Sequence, residues 1–97
     1  MGKLVRDRIP EIIRDSGGDP NCYVLTPIEY REALVDKLKE EVDEFVESRT
    51  VEELADILEV IKCIYAANEN EYHSVFLVGD QKRRDRGSFY NRIYLED

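Results

Sequence analysis

Histidine and cysteine are scarce in this 97-residue chain, which contains one histidine and two cysteines. A lone His73 gives little support to histidine-based zinc sites, or to Ser-His and Cys-His catalysis. Cys22 and Cys63 lie far apart in the sequence and form no C-x-x-C motif. This spacing favours reduced packing residues of a cytoplasmic protein, and it leaves a single disulfide open.

Long apolar runs and glycine-rich phosphate loops are also missing. The N-terminal sequence MGKLVRDRIPEIIRD has no apolar run long enough for a signal peptide, and no later stretch approaches the length that spans a bilayer. Neither a G-x-G-x-x-G motif nor a P-loop occurs. We therefore expect a cytoplasmic protein without a membrane partner.

Charge is mostly of one sign, with 22 Asp and Glu against 14 Lys and Arg and a net charge of −8. This balance disfavours binding to a nucleic-acid backbone, so no nucleic-acid partner is expected, although a local cationic pocket is compatible with it. The 42% share of apolar residues indicates a folded chain. At this length we expect one domain over residues 1–97, with a small core that a homodimer or higher homo-oligomer would complete.

Helix signals dominate the pattern. A short helix is predicted over IPEIIRD, ending at Gly17-Gly18, before an extended DPNCYVL. The capping-box sequence T-P-I-E at Thr26 predicts a long helix to about Glu47, and a second box-like start at Thr50 predicts a helix to about Ala67. The short link between these helices predicts an antiparallel hairpin.

The C-terminal third is harder to assign. A third helix is predicted from about Glu71 to Asp85, although HSVFLVG within it is β-prone. The alternation in SFYNRIYL predicts a short extended segment. The expected fold class is all-α: an antiparallel helical hairpin with additional helices forming a bundle, completed by dimerisation, and with short extended terminal segments.

Acidic residues recur at helical spacing on the two hairpin helices. E-E-x-x-E ends at Glu44, and E-x-x-D joins Glu53 to Asp56, so each motif lies on one helix face. Glu41 and Glu53 fall within the apolar arcs, while Glu44 and Asp56 lie just beyond the edges. If the edges align, four carboxylates converge between the helices, and a hard divalent cation such as Mg²⁺ would offset their charge.

Simpler explanations exist for each of these residues. The chain is rich in Asp and Glu, so such motifs also arise on solvated faces. Glu53 is the reciprocal partner of Thr50 in a capping box, and Glu44 has Lys37 and Ser48 as near neighbours. The spacing alone leaves a metal site and a solvated surface both open.

Cationic residues form one main cluster, KRRDRG over residues 82–87, with a smaller group at the N-terminus. Arg binds phosphate by bidentate pairing and Lys as a point charge. The alternative is that the cluster complements a helix dipole ahead of a C-cap at Gly87. The candidate phosphate ligands are Lys82, Arg86, Lys37, Lys3 and Arg6.

Three motifs in this order resemble a known family. They are KLVRDRIPEII, the paired acidic motifs, and the ending K-x-x-x-R-G-x-F-x-x-R-I-x-L from Lys82 to Leu95. Together they are similar to the MazG-like all-α nucleoside triphosphate pyrophosphohydrolases, most closely to the small phosphoribosyl-ATP pyrophosphohydrolase-like members. The resemblance covers most of the chain. The eight residues between Glu44 and Glu53 are fewer than in many members, which predicts a compact hairpin.

The resemblance implies a dimeric or larger helical bundle that splits a nucleoside triphosphate between its α and β phosphates. By motif position, Glu41, Glu44, Glu53 and Asp56 would hold Mg²⁺, with Mn²⁺ as an alternative and Glu40 beside them. Lys82 and Arg86 would face the phosphates. Either Glu41 or Glu44 would accept the proton of the attacking water.

Other functions remain open from the sequence. One is hydrolysis of phosphoribosyl-ATP in histidine biosynthesis, on a related helical scaffold. Another is a non-catalytic acidic helical module that dimerises through its apolar stripes and binds a protein partner. The last alternative is a protein that has this fold and metal site but no longer catalyses hydrolysis, and that acts as a nucleotide-binding regulator.

Overall fold

The computed structural model describes residues 2–96 and divides into two compact units, one ending at Ala67 and one beginning at Asn68. Every regular element of residues 2–96 is a helix, which confirms the predicted all-α fold class. None of these helices combines the length and the apolar character needed to cross a membrane. The helices are α1 (Ile9–Asp15), α2 (Pro27–Ser48), α3 (Val51–Ala67), α4 (Glu69–Tyr72) and α5 (Val75–Arg86).

The hairpin of α2 and α3 organises the first unit. The N–H of Glu29 donates to the Thr26 hydroxyl at 3.2 Å, and the N–H of Thr26 donates to the Glu29 carboxylate at 3.0 Å. This capping box begins α2 as predicted and lowers the pKa of Glu29. Arg49, in the left-handed region, ends the helix, and the chain reverses within two residues before α3 begins. The predicted antiparallel hairpin is therefore confirmed.

The buried core of the hairpin is small. Among residues 2–96, the apolar side chains that are buried are Leu34 on α2 and Val60 on α3, exposed by 2% and 8%. Leu38, Phe45, Ile57 and Ile64 are half-buried around them. Because so few side chains are buried, α2 and α3 pack against each other along a single stripe of contacts.

A second set of apolar residues on both helices stays exposed. They include Val35 and Val42 on α2, and Leu54, Leu58 and Ile61 on α3. At about 100° per residue, these side chains lie on the flank of each helix away from Tyr30 and Glu41 on α2 and from Asp56 and Cys63 on α3. The hairpin therefore has two broad faces: an exposed apolar face, and a polar face on which the N-terminal segment lies.

The N-terminal segment, residues 3–9, leads into α1. That helix ends as predicted at a glycine pair: Gly17 has φ of 91°, and the N–H of Gly18 donates to the carbonyl of Ile13 at 2.9 Å. A Cβ on Gly18 would lie 2.6 Å from the Ile13 side chain, so only glycine fits without movement.

In the second unit the prediction of one continuous third helix is wrong. The chain instead forms α4 and α5, interrupted at His73 and Ser74. His73 Nδ1 lies 3.0 Å from the carbonyl oxygen of Asn70, and the Ser74 carbonyl begins the hydrogen bonding of α5. His and Ser are weaker helix formers than Ala or Leu, and here a turn replaces the helix.

The predicted extended segment after α5 is also interrupted. The N–H of Arg92 donates to the carbonyl of Phe89, and Arg92 has φ of 60°. A turn therefore lies where the alternating pattern predicted continuous extended chain. Phe89 is 96% exposed and Tyr94 is 89% exposed, so the alternation has no apolar side to bury within this unit.

Candidate metal centre and adjoining cleft

Three of the predicted carboxylates meet across the hairpin. One oxygen from each of Glu41, Glu53 and Asp56 lies within 4.8 Å of the others. Glu41 stands two turns beyond Leu34 on the same face of α2, while Glu53 and Asp56 are one turn apart on α3. The antiparallel packing then brings the two helices' carboxylates together.

Two oxygens of this cluster are buried without a partner. Glu41 is 5% exposed, and its Oε2 has no hydrogen bond; the same is true of Glu53 Oε2. A buried carboxylate oxygen that has lost its water and gained no donor is costly to the fold. Both oxygens come from facing helices, so they mark a place where a cation would be stabilised.

The capping alternative for Glu53 does not use its carboxylate. The N–H of Glu53 donates to the Thr50 hydroxyl at 3.2 Å, but the N–H of Thr50 donates to the Ser48 hydroxyl at 3.4 Å. The reciprocal half of a capping box is thus supplied by Ser48. The Glu53 side chain is left to the carboxylate cluster.

Glu44 belongs to a second, overlapping group. Oxygens of Glu40, Glu41 and Glu44 lie within 4.8 Å of one another. Glu44 is exposed and Glu40 is half-buried, so this group faces solvent more than the first. Glu41 is common to both groups and is the most enclosed member.

Lys37, predicted as a phosphate ligand, forms ion pairs with the acidic motif, and its role toward phosphate stays a prediction. Its Nζ lies 3.1 Å from Glu40 Oε2 and 3.2 Å from Glu41 Oε1, and Lys3 Nζ lies 3.7 Å from Glu40 Oε1. Burial disfavours the charged Lys37, but the hydrogen bonds to Glu40 and Glu41 outweigh it and raise its pKa. The spacing of three and four residues is itself a signal for these pairs.

Arg6, also predicted as a phosphate ligand, forms an ion pair with Asp56. Its Nη2 lies 2.6 Å from Asp56 Oδ1, and this hydrogen bond raises the pKa of Arg6. The two residues are fifty positions apart, so local sequence carried no signal for the pair. Arg6 therefore ties the N-terminal segment to the carboxylate cluster.

A cleft of about 450 Å³ adjoins the cluster, between the N-terminal segment and the hairpin. Glu41 and Asp56 line it together with Lys3, Arg6 and Lys37. Its walls also include residues that the sequence did not indicate as functional: Tyr30, Leu34, Glu59, Val60 and Cys63. Cys22 and Cys63 are both free thiols.

Lys82 and Arg86 lie on α5, in the second unit. The last turn of α5 is basic and is followed by Gly87, whose N–H donates to the carbonyl of Arg83. Basic side chains in a last helical turn interact favourably with the helix dipole, which is the alternative role predicted for this cluster. A role for Lys82 and Arg86 toward phosphate stays a prediction.

The donor set suits a hard divalent cation. Glu41, Glu53, Asp56 and Glu44 offer carboxylate oxygens, which are the ligands that Mg²⁺ and Mn²⁺ favour. The first group carries three negative charges, against which Lys37 and Arg6 supply two positive ones. A cation would therefore meet unsatisfied oxygens, and it would also compete with the two ion pairs.

Comparison with known proteins adds little about function. No protein-family profile matches this chain, and no solved structure matches it. A 44-residue stretch is 57% identical to an uncharacterized protein of Mycolicibacterium smegmatis, and the match covers 45% of this chain and 45% of that relative. The chain thus spans less than half of that relative.

Proposed function

We propose that this protein is a Mg²⁺-dependent pyrophosphohydrolase that cleaves nucleoside triphosphates between the α and β phosphates, releasing nucleoside monophosphate and pyrophosphate. One observation carries the proposal: Glu41 Oε2 and Glu53 Oε2 are buried without partners on facing helices, within one carboxylate cluster. Purely structural acidic residues are solvated or paired, because an unpartnered buried oxygen costs stability.

Glu41, Glu53 and Asp56 would hold the metal, with Glu44 at the solvent side. Bound there, Mg²⁺, with Mn²⁺ as the alternative, would neutralise and orient a polyphosphate and lower the pKa of water. Glu44 is the better candidate for the general base because it is exposed and lies beside Glu41, where an attacking water can reach it. Glu41 itself is enclosed and paired with Lys37.

The cations at the cleft would bind phosphate oxygens. Lys3 and Arg6 are mostly exposed, and each pairs with an acidic residue of the two carboxylate groups. With a metal bound at those carboxylates, Lys3 and Arg6 would be free to bind a polyphosphate placed in the same cleft. Lys82 and Arg86 are further phosphate candidates, which the MazG-like resemblance alone suggests.

The phosphoribosyl-ATP hydrolysis of histidine biosynthesis stands as an alternative substrate for the same chemistry. It needs the same carboxylates, and it differs only in what the cleft must accommodate. The panel of substrates that tests the proposal therefore includes phosphoribosyl-ATP.

A non-catalytic reading has its own support in the ion pairs. Lys37 and Arg6 already neutralise two of the three charges in the buried cluster. On this reading the protein is an acidic helical module that binds a partner, and the carboxylates serve packing. Metal binding separates the two readings, because only a true site gains stability from Mg²⁺ by mass action.

We also propose that the protein is a homodimer, formed through the exposed apolar face of the hairpin. Val51, Leu54, Leu58 and Ile61 follow one another at spacings of three and four on α3, and each is 46% exposed or more. This is the spacing of a helix-packing seam. The seam lies away from the cleft, so dimerisation leaves the site open.

Wild-type protein is expected to release pyrophosphate from at least one nucleoside triphosphate when Mg²⁺ is present, and to lose this activity in excess chelator. The measurement is pyrophosphate release from a panel of canonical and modified nucleoside triphosphates and phosphoribosyl-ATP. Glu53→Gln should abolish release because it replaces a carboxylate oxygen that would bind the metal and removes the negative charge. Glu52→Gln is the matched control, since Glu52 is the exposed neighbour on the same helix.

Release from phosphoribosyl-ATP alone would select the histidine-biosynthesis alternative. No release from any member of the panel, with either metal, would contradict the enzymatic proposal. Equal activity of Glu53→Gln and Glu52→Gln would contradict the assignment of the carboxylate cluster as the metal centre.

A further inference from the structure

The cleft continues well past the carboxylate cluster. Along α2 its lining residues are Tyr30, Leu34, Lys37 and Glu41, which share one helix face at spacings of four and three. Tyr30 and Glu41 are eleven positions apart on the helix, a distance of about 16 Å along its axis. The cleft is therefore much longer than a metal site requires.

The chemical character of the lining residues changes along the cleft. At one end are the carboxylates and their cations. In the middle lie the apolar side chains of Leu34 and Val60. At the far end Tyr30 and Cys63 lie next to each other, and Cys63 Sγ lies 4.0 Å from Glu59 Oε2. Polar groups thus close an otherwise apolar stretch.

We propose that the nucleoside of the substrate lies along this cleft, with its sugar against Leu34 and Val60 and its base at Tyr30 and Cys63. Tyr30 and Cys63 are then specificity-determining residues. The inference rests on the proposed function, because the phosphates must be held at the carboxylate end for the nucleoside to extend this way.

Size and polarity support this occupant. Small-molecule sites are clefts of about 300 to 1,000 Å³, mostly apolar with a few fixed polar groups, and this cleft measures about 450 Å³. A nucleotide matches its order of chemistry: charged phosphates, then a sugar, then a base that is flat and carries polar edges. Tyr30 can offer both a ring surface and a hydroxyl to that base.

The two cysteines provide a direct test in the wild-type protein. Cys63 lines the cleft, whereas Cys22 is exposed in the segment before α2 and lines no part of it. Alkylation of both thiols by iodoacetamide is followed by peptide mass spectrometry. It is measured with Mg²⁺ and non-hydrolysable α,β-methylene nucleoside triphosphates, and with inorganic tripolyphosphate in their place. Cys22 is the internal control.

Nucleotide at ten times its dissociation constant is expected to slow Cys63 alkylation about tenfold by occupancy, while Cys22 is unaffected and tripolyphosphate leaves Cys63 reactive. Unprotected Cys63 in a protein that hydrolyses the parent nucleotides would overturn this placement and leave the proposed function standing. Equal protection by tripolyphosphate would also overturn it. If the protein neither hydrolyses nucleotides nor shows protection of Cys63, both this placement and the proposed function would be contradicted.

Tyr30→Phe gives a second, independent readout. The change keeps the aromatic ring and removes the hydroxyl, so the ratio of KM values between two bases should change roughly 3- to 10-fold, the effect of one hydrogen bond. The ratio compares two bases within one variant, so a general loss of activity does not change it. An unchanged ratio across the bases would refute the role of Tyr30.

Discussion

Glu41→Gln is expected to lower pyrophosphate release by at least roughly 100-fold. Changes to groups that only support a metal ligand typically cost 10- to 100-fold in affinity or activity, so the loss of a ligand should cost more. Glu41 is the most enclosed carboxylate of the cluster, and it is the one residue that belongs to both acidic groups. No neighbouring carboxylate can take its place from the same buried position.

The same substitution should leave the metal-free fold nearly intact. Glutamine has the shape of glutamate but no charge, so it relieves repulsion with Glu53 and Asp56. Lys37 keeps its 3.1 Å ion pair with Glu40. The free energy of unfolding without metal should therefore stay within about 1 kcal/mol of the wild-type value, or rise above it.

The stability gained on adding Mg²⁺ should distinguish the wild type from Glu41→Gln more clearly than the stability measured without metal. Wild-type protein at a Mg²⁺ concentration of about 100 times its dissociation constant should gain about 2.7 kcal/mol of stability, and Glu41→Gln should gain almost none. Thermal and urea unfolding with and without Mg²⁺ measure both quantities. Asp43→Asn is the matched control, because Asp43 is exposed on the same helix and pairs only locally with Lys39.

A different result would favour the packing role of the cluster. If the Lys37–Glu41 pair serves stability, removing one partner of a buried pair costs about 3 to 5 kcal/mol. Glu41→Gln would then destabilise the metal-free protein, and Mg²⁺ would stabilise neither protein. That outcome would contradict the proposed metal centre directly.

The long helices could be predicted because their signals are local. Thr26 and Glu29 lie three residues apart, and the hydrogen bonds they exchange depend on no distant contact. The link after Ser48 is two residues long, so α3 must turn back alongside α2. This signal is also local in the sequence. The break at His73 was not predicted because weak helix formers give only a small bias, which the local turn overrides.

Only part of the candidate site could be predicted from the sequence. Helical spacing was enough to place Glu41 inside the apolar arc, and the structure finds it buried. Helical spacing could also have predicted the pairs of Lys37 with Glu40 and Glu41. The contact between Arg6 and Asp56 could not be predicted, because it depends on how residues 3–9 cross the hairpin.

The cleft depends on several elements of the first unit at once. Tyr30 and Cys63 stand on different helices and meet only because the hairpin is antiparallel and in this register. Each residue alone looks like an ordinary packing residue in the sequence. Their shared position at the end of a cavity is visible only once α2, α3 and the N-terminal segment are assembled.

Leu58→Glu is expected to convert the proposed homodimer to a monomer. Leu58 is 54% exposed and sits at the centre of the seam formed by Val51, Leu54 and Ile61. In a twofold dimer the change occurs twice, and each copy would bury a charge among apolar side chains. A hot-spot residue near the centre of an interface contributes about 2 kcal/mol or more, so two such losses should weaken the dimer about a thousandfold.

Sedimentation equilibrium measures the dimer dissociation constant in each protein. Val24→Glu carries the same change of charge on a side chain that is 97% exposed and lies outside the helices, so it should remain a dimer. The monomeric variant should keep its helical circular dichroism because Leu58 is not part of the buried core. A wild-type protein that sediments as a monomer, or a Leu58→Glu variant that dimerises as well as Val24→Glu, would show that the seam is not the interface. The exposed apolar residues of α3 would then need another partner, because a solvated seam of this length favours non-specific association.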